Sequence, residues 1–323
     1  MKKILITGAA GQIGTELTVA LRHRYGAGNV IACGHKTKPD AKLLDSGPFL
    51  YFDIRDFSAL VTIVKRYKVD TIFHLAGILS AVAEKNPQLA WDINMTGLTN
   101  VLEAARTCRC AVFFPSSIGA FGPSTPPDNT PQLTIQRPRS MYGITKVTGE
   151  LLCDYYFQKF GVDTRGLRFP GLISYETMPG GGTTDYAIEI FYAAIKHKKY
   201  SCFLGKGTRL DMMYMKDALR AAITLMEADP ARLIIRNAFN VTAMSFAPED
   251  IFDEIKKIIP DFTMTYEVDT LRQAIADSWP NKMNDSEACK QWGWQPEYDL
   301  PTMTREMINK LSEALQNDGE KLQ

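Results

Sequence analysis

A tyrosine and a lysine four residues apart are the side chains whose spacing most directly suggests chemistry. They are Tyr142 and Lys146, in the stretch Tyr-Gly-Ile-Thr-Lys. On a helix this spacing puts both on one face, and a lysine charge near a phenol lowers the pKa of the phenol. A base near neutral pH needs the phenol pKa of about 10 lowered by roughly three, which is about 4 kcal/mol. One solvated ammonium supplies less interaction free energy than this. The pair therefore either acts together with a further positive charge, such as an oxidised nicotinamide ring, or is an ordinary exposed helical pair.

Glycines near the N-terminus predict a site for such a cofactor. The apolar run Ile4-Leu5-Ile6-Thr7 is followed by a Gly-x-x-Gly-x-x-Gly loop and then by a helical pattern to about Tyr25. Glycines between a strand and a helix let the backbone approach a pyrophosphate at the helix N-terminus. The dinucleotide-binding residues expected from this loop are Gly8, Gly11, Gln12, Ile13 and Gly14.

The end of the second predicted strand lacks the residue that would select between NAD and NADP. An acid is expected there to hold the adenine ribose hydroxyls, but the sequence has Gly34-His35-Lys36. Asp53, after the third predicted strand, either accepts from the adenine amino group or forms a turn. These residues leave the choice between the two cofactors open.

The segments around these motifs alternate between strand and helix patterns. Strands are predicted at residues 4–7, 30–33, 49–52, 71–75, 111–114, 163–168, 211–215 and 238–241, and helices at 56–67, 87–106, 142–160, 186–196, 248–259 and 301–317. Residues 34–48 have the composition of a polar connection. Strands separated by such helices indicate an α/β fold with a doubly wound parallel sheet. Right-handed crossovers place the carboxyl ends of the strands, and any ligand, along one edge.

Composition limits the classes of partner. The 323 residues are 45% hydrophobic and 23% charged with a net charge of +1, so we expect neither nucleic acid nor a membrane surface as partner. The N-terminal apolar run is too short for a signal peptide. Six cysteines without C-x-x-C spacing and four scattered histidines predict free thiols in a cytoplasmic protein and no metal site.

Several motifs occur in an order that resembles the extended short-chain dehydrogenases, the group that includes UDP-galactose 4-epimerase. These motifs are Gly8/Gly11/Gly14, Asp53, His74-Leu75-Ala76-Gly77, Asn94, Ser116-Ser117 and Tyr142/Lys146. Within that group, six further segments resemble the short-chain type of L-threonine 3-dehydrogenase. They are residues 79–81, 115–123, 168–174, 179–186, 212–215 and 272–279. The sequence departs from this pattern at Gly34-His35, where many relatives have aspartate.

The resemblance implies a Rossmann-type fold with a smaller C-terminal substrate-binding lobe, and NAD as cofactor. It implies oxidation of L-threonine at C3, with Tyr142 as base, Lys146 holding the nicotinamide ribose and Ser117 bonding the substrate oxygen. It implies no metal. The further cofactor-binding residues implied are Asp53, Ile54, Leu75, Ala76, Gly77, Asn94, Pro115, Tyr142, Lys146 and Phe169, and the substrate-binding residues are Ser80, Ser117, Tyr142, Gly182, Thr183, Thr184 and Trp279.

The glycine run 180–182 precedes two threonines and a helical pattern. Free backbone N–H groups and hydroxyls at a helix start suit a carboxylate, although Thr183 or Thr184 could also cap the helix. We expect residues 178–185 to form a gate that orders around threonine, with Trp279 closing over the substrate. A core tryptophan is the alternative for Trp279.

The domain organisation and the alternative functions can also be predicted from the sequence. We expect an NAD-binding domain over residues 1–170, with a return at about 212–242, and a substrate lobe over most of 171–323. The resemblance implies a homodimer formed through the helices near 87–106 and 140–160. A nucleotide-sugar epimerase or dehydratase of the same fold is the nearest rival, and a non-catalytic NAD(P) sensor is another. Ser117, Tyr142 and Lys146 argue against the sensor, because a sensor needs only the glycine loop.

Overall fold

The structure, a computed structural model, describes residues 1–176 and 182–320. Its strands are β1 Ile4–Thr7, β2 Val30–Gly34, β3 Phe49–Tyr51, β4 Thr71–His74, β5 Ala111–Ser117, β6 Thr164–Phe169, β7 Gly171–Ile173, β8 Lys199–Cys202, β9 Leu210–Tyr214, β10 Phe239–Asn240, β11 Met244–Phe246 and β12 Thr263–Tyr266. Its α-helices are α1 Gln12–Tyr25, α2 Ala41–Asp45, α3 Phe57–Tyr67, α4 Ser80–Lys85, α5 Pro87–Trp91, α6 Gly97–Cys108, α7 Met141–Phe160, α8 Tyr186–His197, α9 Met215–Glu227, α10 Pro248–Ile258, α11 Thr270–Ala276, α12 Ser286–Trp292 and α13 Leu300–Glu320.

The largest sheet has seven strands in the order β10-β6-β5-β4-β1-β2-β3. Every neighbouring pair is parallel, and Ile4 on β1 pairs with Val30 on β2 and with Thr71 on β4. This confirms the predicted doubly wound α/β sheet. The strand order reverses between β1 and β4, and in such sheets ligands bind in the crevice at that point.

Helices cover both faces of this sheet, which is why its strands are continuous apolar runs. On one face Ile4 and Ile6 pack with α1 and α9, and on the other Leu5 and Ile72 pack with α3, α6 and α7. Side chains alternate between the faces along β1, as strand geometry requires. The central strand is thus buried from both sides and holds the loop that follows it in place.

Side-chain caps explain where two of the predicted helices begin. The Asp56 carboxylate accepts from Ala59 N at 2.9 Å, and Ser140 Oγ accepts from Gly143 N at 3.1 Å. Each satisfies an N–H group that has no partner within the helix. The second cap places Tyr142 in the first turn of α7.

The structure refines one expectation about local structure and corrects another. The helix expected over residues 87–106 is helical throughout, but α5 and α6 are joined by a π-helical segment at Asp92–Thr96. The polar connection 34–48 contains α2, whose N-cap Asp40 accepts from Leu43 N at 2.7 Å, and α4 was not expected. The apolar spacing of 87–106 fits one straight helix, and only tertiary contacts show the extra residue of a π turn.

The C-terminal part has its own core and two small sheets. β11-β9-β7 form one sheet and β12-β8 another, and α8, α10 and α13 pack around Phe191, Phe246 and Met307. The chain returns to the large sheet through β10, which pairs with β6. The division of the chain at residue 170 into a cofactor domain and a substrate lobe stays a prediction. Within the described residues, the longest apolar stretch of any helix is too short to cross a membrane.

Candidate active site

The loop between β1 and α1 is closed so tightly that only glycine fits at two positions. A Cβ on Gly8, whose φ is +70°, would lie 2.5 Å from Ala76 N, and a Cβ on Gly14 would lie 2.3 Å from Gly8 O. The N-cap of α1 is Gly11, which provides no side chain to bond the first N–H groups of the helix. Those groups face the crevice and fit the pyrophosphate of a dinucleotide.

A pocket of about 300 Å³ lies beside this loop, at the ends of β2 and β3. His35, Lys36 and Asp53 contribute its polar lining. Arg55 Nη2 donates to Asp53 Oδ2 at 2.7 Å, and His35 Nε2 lies 3.8 Å from the same oxygen. Hydrogen bonds from Arg55 are the main reason that the pKa of Asp53 is lowered to about 2. Asp53 therefore borders this pocket as a carboxylate that is already paired.

A second pocket, a cleft of about 230 Å³, shares Gly8, Gly11, Leu75 and Gly77 with the first. Predicted residues that line this cleft are Gly8, Gly11, Gln12, Ile13, Gly14, Leu75, Gly77, Ser80, Pro115, Ser117, Tyr142, Lys146, Phe169, Gly182, Thr183, Thr184 and Trp279. Asp53, Ile54 and Ala76 line the first pocket, and Asn94 lines a smaller one that adjoins Tyr142 and Lys146. Every predicted site residue thus borders one continuous crevice, while their roles stay predictions.

The Tyr142 and Lys146 side chains share one face of α7, as their spacing predicts. Lys146 Nζ lies 5.3 Å from the Tyr142 ring centroid and donates to Pro115 O at 2.6 Å. Ser117, at the end of β5, lines the same cleft as Tyr142, and its Oγ accepts from Gly119 N at 3.1 Å. Strand β5 and helix α7 therefore bring a hydroxyl, a phenol and an ammonium together in the cleft.

Burial changes the acidity of this group in a way that the spacing alone does not reveal. It raises the pKa of Tyr142, while the Ser117 hydroxyl acts in the opposite direction. It lowers the pKa of Lys146 to about 8, against the influence of Glu150 and Cys153. Among the protein's own groups, desolvation outweighs the expected acidification of Tyr142 by Lys146. A phenolate at neutral pH therefore needs additional positive charge in the cleft.

Asn94 ties the loop after β4 to helix α7. Its Oδ1 accepts from Ile78 N at 2.7 Å, and its Nδ2 donates to Thr145 Oγ1 at 3.1 Å and to Ile78 O at 3.2 Å. The π-helical segment carries this residue, and such segments often occur at functional sites. Asn94 therefore supports the site through its neighbours.

His74 has the surroundings of a structural residue. It is buried at the end of β4, and its Nδ1 lies 2.9 Å from Thr7 Oγ1. Burial, assisted by the charge of Lys146, lowers the pKa of His74 to about 3. The imidazole is neutral near pH 7 and holds the ends of β1 and β4 together.

The opposite wall of the cleft comes from the start of α8 and from the segment after α11. Gly182, Thr183 and Thr184 line it, and the N-cap residue of α8 is Asp185, so neither threonine is the cap. Trp279 is half-buried, packs on Ile118, Phe121 and Met283, and also faces the cleft. Residues 178–181 of the expected gate lie outside the described residues.

Several residues that line the crevice were not predicted from the sequence. Ser116, Ile118 and Asp185 border the cleft, and Thr37 borders the pocket at the end of β2. Ser116 and Asp185 are direct neighbours of predicted residues, which was a usable signal. Ile118 follows the predicted Ser117 in the same way, whereas Thr37 belongs to no motif, and only the tertiary structure shows its place.

Comparisons with known proteins agree with this architecture. Residues 4–241 match the model of the NAD dependent epimerase/dehydratase family. An uncharacterized epimerase/dehydratase of Staphylococcus saprophyticus subsp. saprophyticus is 55% identical over 311 residues, which cover 96% of this chain and 97% of that protein.

Solved structures are similar over almost the whole chain. The X-ray structure of L-threonine dehydrogenase from Clostridium difficile has 58% identity and a TM-score of 0.96, and the match covers 97% of this chain and 98% of that one. The holo form of an L-threonine dehydrogenase from Cupriavidus necator has 47% identity and a TM-score of 0.92, with 96% and 99% covered. The chain therefore belongs to the NAD dependent epimerase/dehydratase family of extended short-chain dehydrogenases, as its motifs predicted, and is an enzyme that uses NAD(P).

Proposed function

We propose that the protein oxidises L-threonine at C3 with NAD+ to L-2-amino-3-oxobutanoate. The observation that carries this proposal is the meeting of Ser117, Tyr142 and Lys146 in one cleft whose opposite wall begins at Gly182. A hydroxyl, a phenol and an ammonium suit removal of a proton from an alcohol. The similarity to L-threonine dehydrogenases supports threonine as that alcohol.

The chain's own residues perform the proton and positioning steps. Tyr142 takes the proton of the substrate hydroxyl, and Ser117 holds the same oxygen so that the C3–H bond points towards the cofactor. Lys146 stays within the desolvated cleft through its bond to Pro115 O, where it would hold the cofactor ribose. NAD+ would supply a hydride acceptor and the positive charge that Tyr142 requires.

The start of α8 receives the threonine carboxylate in this proposal. Thr183 and Thr184 lie where the helix begins, and N–H groups there carry partial positive charge. Thr183 is buried and Thr184 half-buried at the cleft wall. A compact carboxylate suits this short wall better than the diphosphate of a nucleotide sugar, which favours threonine over the epimerase substrates.

A single absorbance assay tests the proposal. Purified protein should reduce NAD+ when L-threonine is added, and the rate should fall to background with L-alanine, which lacks the hydroxyl. UDP-glucose and UDP-galactose should not be interconverted. Failure with threonine together with sugar epimerisation would replace the proposal by the epimerase function, and inactivity with both would favour the sensor.

We further propose that the protein pairs with a second copy of itself through α5 and α7. Leu151 and Tyr155 on α7 are 63% and 51% exposed, and Leu89 and Trp91 on α5 are similarly exposed. Exposed apolar side chains on neighbouring helices are typical of an interface between subunits. A symmetric four-helix contact would remove them from water.

A further inference from the structure

A buried ion pair lies one helical turn behind the catalytic lysine. Glu150 is four residues after Lys146 and eight after Tyr142 on α7. Arg168 on β6 holds it in a bidentate pair, with Nε to Oε1 at 3.0 Å and Nη2 to Oε2 at 2.8 Å. Both side chains are at least nine-tenths buried. A buried ion pair of this kind contributes little net stability, so stability alone does not explain why the pair lies beside the site.

The carboxylate of Glu150 is saturated by donors from three parts of the chain. Besides Arg168, Ser116 Oγ donates to Oε1, and Gln136 Nε2 donates to Oε2 at 2.8 Å. Arg168 Nη1 donates to Gln132 O at 2.8 Å and to Asn240 Oδ1 at 3.1 Å. A fully satisfied buried network holds its members in one geometry.

This network connects the two elements that carry the reacting groups. Three consecutive residues at the end of β5 lie beside α7, because Pro115 O accepts from Lys146 Nζ, Ser116 Oγ donates to Glu150, and Ser117 lines the cleft together with Tyr142. The first and last of these three residues adjoin groups that must move protons or meet ligands. The Ser116–Glu150 contact can therefore hold α7 in register with β5 while Tyr142 and Lys146 take part in proton transfer and ligand binding.

We propose that Glu150, held by Arg168 and bonded to Ser116, is a positioning residue for the Ser117, Tyr142 and Lys146 group. It fixes how far α7 lies along the end of β5, and its negative charge keeps Lys146 protonated in the desolvated cleft. The inference rests on the proposed function for its catalytic consequence. The contacts on which it depends belong to the fold and hold for any alcohol substrate.

Among the groups around the Glu150–Arg168 pair, Lys146 is the one whose charge changes just above neutral pH. The charged and titratable groups next to Lys146 or to Glu150 are Tyr142, Cys153 and Asp154 on α7, Arg168 on β6 and His74 on β4. Burial raises the pKa of the Cys153 thiol and lowers that of His74 to about 3, so both are neutral there. Glu150 raises the pKa of Lys146. Its removal should lower that pKa further, so that Lys146 loses its charge at a lower pH.

A matched ion pair elsewhere separates positioning from stability. Arg165 Nη2 bonds Asp163 Oδ2 at 2.8 Å, and Arg236 Nη2 bonds the other oxygen at 2.6 Å. The two arginines are as buried as Arg168, whereas Asp163 is 33% exposed, and the cluster lies at the opposite end of β6 from the cleft. Asp163→Asn should therefore lower the melting temperature as Glu150→Gln does, but it should not change the arrangement of Ser117, Tyr142 and Lys146.

The experiment compares Glu150→Gln, Ser116→Ala and Asp163→Asn with the wild type. Glu150→Gln should lower kcat about 10–100-fold, the effect of a misplaced catalytic group, and move the alkaline limb of kcat/KM to lower pH. Ser116→Ala retains the ion pair, so it should lower kcat without moving that limb. Asp163→Asn should change neither by more than about twofold. The inference would be overturned if Glu150→Gln and Asp163→Asn had the same kcat and the same alkaline limb in their pH profiles of kcat/KM.

A binding readout keeps the inference separate from the proposed function. NADH binding, followed by quenching of tryptophan fluorescence, should weaken as Lys146 deprotonates, and its midpoint should occur at lower pH in Glu150→Gln. This measurement requires no threonine, and Ser116→Ala covers the case in which Glu150→Gln does not fold. A wild type that binds NADH but ignores threonine would refute the proposed function alone. A midpoint unmoved in a folded Glu150→Gln protein would refute the positioning role alone.

Discussion

At the scale of single residues, the site is governed by a competition between charge and burial. Tyr142 and Lys146 are close enough to interact, yet burial raises the pKa of the phenol and lowers that of the ammonium. Both shifts disfavour the charged forms. In the proposed mechanism the pair would act as a base only when cationic cofactor is bound, which would keep the free enzyme from abstracting protons without an acceptor for the hydride.

Tyr142→Phe tests the phenol directly. The variant keeps the ring and its packing but has no group to accept the substrate proton, so kcat should fall roughly 10²–10⁴-fold. NADH affinity should be nearly unchanged because the ring remains. Fluorescence titration and the NADH absorbance assay measure the two quantities. A variant that keeps more than about half of the wild-type activity would remove Tyr142 from the mechanism.

Glu16 gives a pH-dependent prediction for stability. It is buried on α1, where Ser174 donates to it, and burial raises its pKa from 4.5 to about 7. The folded state thus binds the proton more tightly than the unfolded state. Its contribution favours folding below about pH 4.5 and is lost as the pH rises through about 7.

Replacing that carboxyl by an amide should remove this loss. Glu16→Gln should be more stable than the wild type at pH 8, by up to about 3 kcal/mol, and no more stable at pH 5. Urea unfolding at both pH values gives the two free energies, and the difference between the proteins cancels all other titrations. An equal difference at both pH values would show that Glu16 does not titrate in this range.

At the scale of elements, specificity belongs to the segments that follow the strands. The end of β2 carries Gly34 where an acid would hold the ribose hydroxyls. A Cβ at that position would lie 2.9 Å from Phe49 Cζ, the far end of a ring that can move. The segment before α8 forms the wall opposite Tyr142. Each of these two segments gives a prediction.

We predict that the enzyme prefers NAD+ to NADP+ and that Gly34→Asp strengthens this preference. The new carboxylate would accept from the ribose hydroxyls and repel a 2′-phosphate, after a small movement of Phe49. The ratio of kcat/KM for the two cofactors should therefore rise at least about tenfold. Comparable kcat/KM values with both cofactors in the wild type would show that the missing acid has already removed the preference.

Thr184→Ala tests the wall of the cleft. If the Thr184 hydroxyl meets the threonine carboxylate, its loss should raise the KM for threonine several-fold and leave the KM for NAD+ little changed. Initial-rate kinetics with each substrate varied in turn measure both values. An unchanged KM for threonine would mean that the start of α8 is simply a rigid part of the fold.

At the scale of the whole molecule, the chain builds one parallel sheet covered on both faces and a second core around α8, α10 and α13. The crevice lies between these bodies of structure, with the glycine loop on one side and Thr183 on the other. The exposed apolar side chains of α5 and α7 lie outside the crevice wall and have no cover within the described chain. Assembly would bury them and stiffen α7, which carries Tyr142.

The proposed dimer predicts that Leu151→Glu yields monomers. Leu151 is 63% exposed on α7, and a charge buried in an apolar interface is strongly unfavourable. Light scattering after size-exclusion chromatography should show a dimer for the wild type and a monomer for the variant. Leu271→Glu is the matched control, because Leu271 is 62% exposed but lies on α11, in the C-terminal part of the chain. A monomeric wild type would refute the proposal.

The sequence by itself determined the fold class, the glycine loop and the partners on α7. Apolar runs separated by helical patterns specify a parallel sheet, and the i, i+4 spacing of Tyr142 and Lys146 places them together wherever the segment is helical. These are local properties. The family could be identified from the motifs for the same reason, because the motif residues occur in a set order along the chain.

Only the tertiary structure decided what depends on contacts between distant segments. The π-helical segment at Asp92–Thr96 and the bond between Ser116 and Glu150 have no local signal. The direction of the Tyr142 pKa shift was also decided there, because desolvation depends on everything packed around the phenol. Sequence spacing specifies which groups meet along one element, whereas burial and partners from other elements fix their charge and their register.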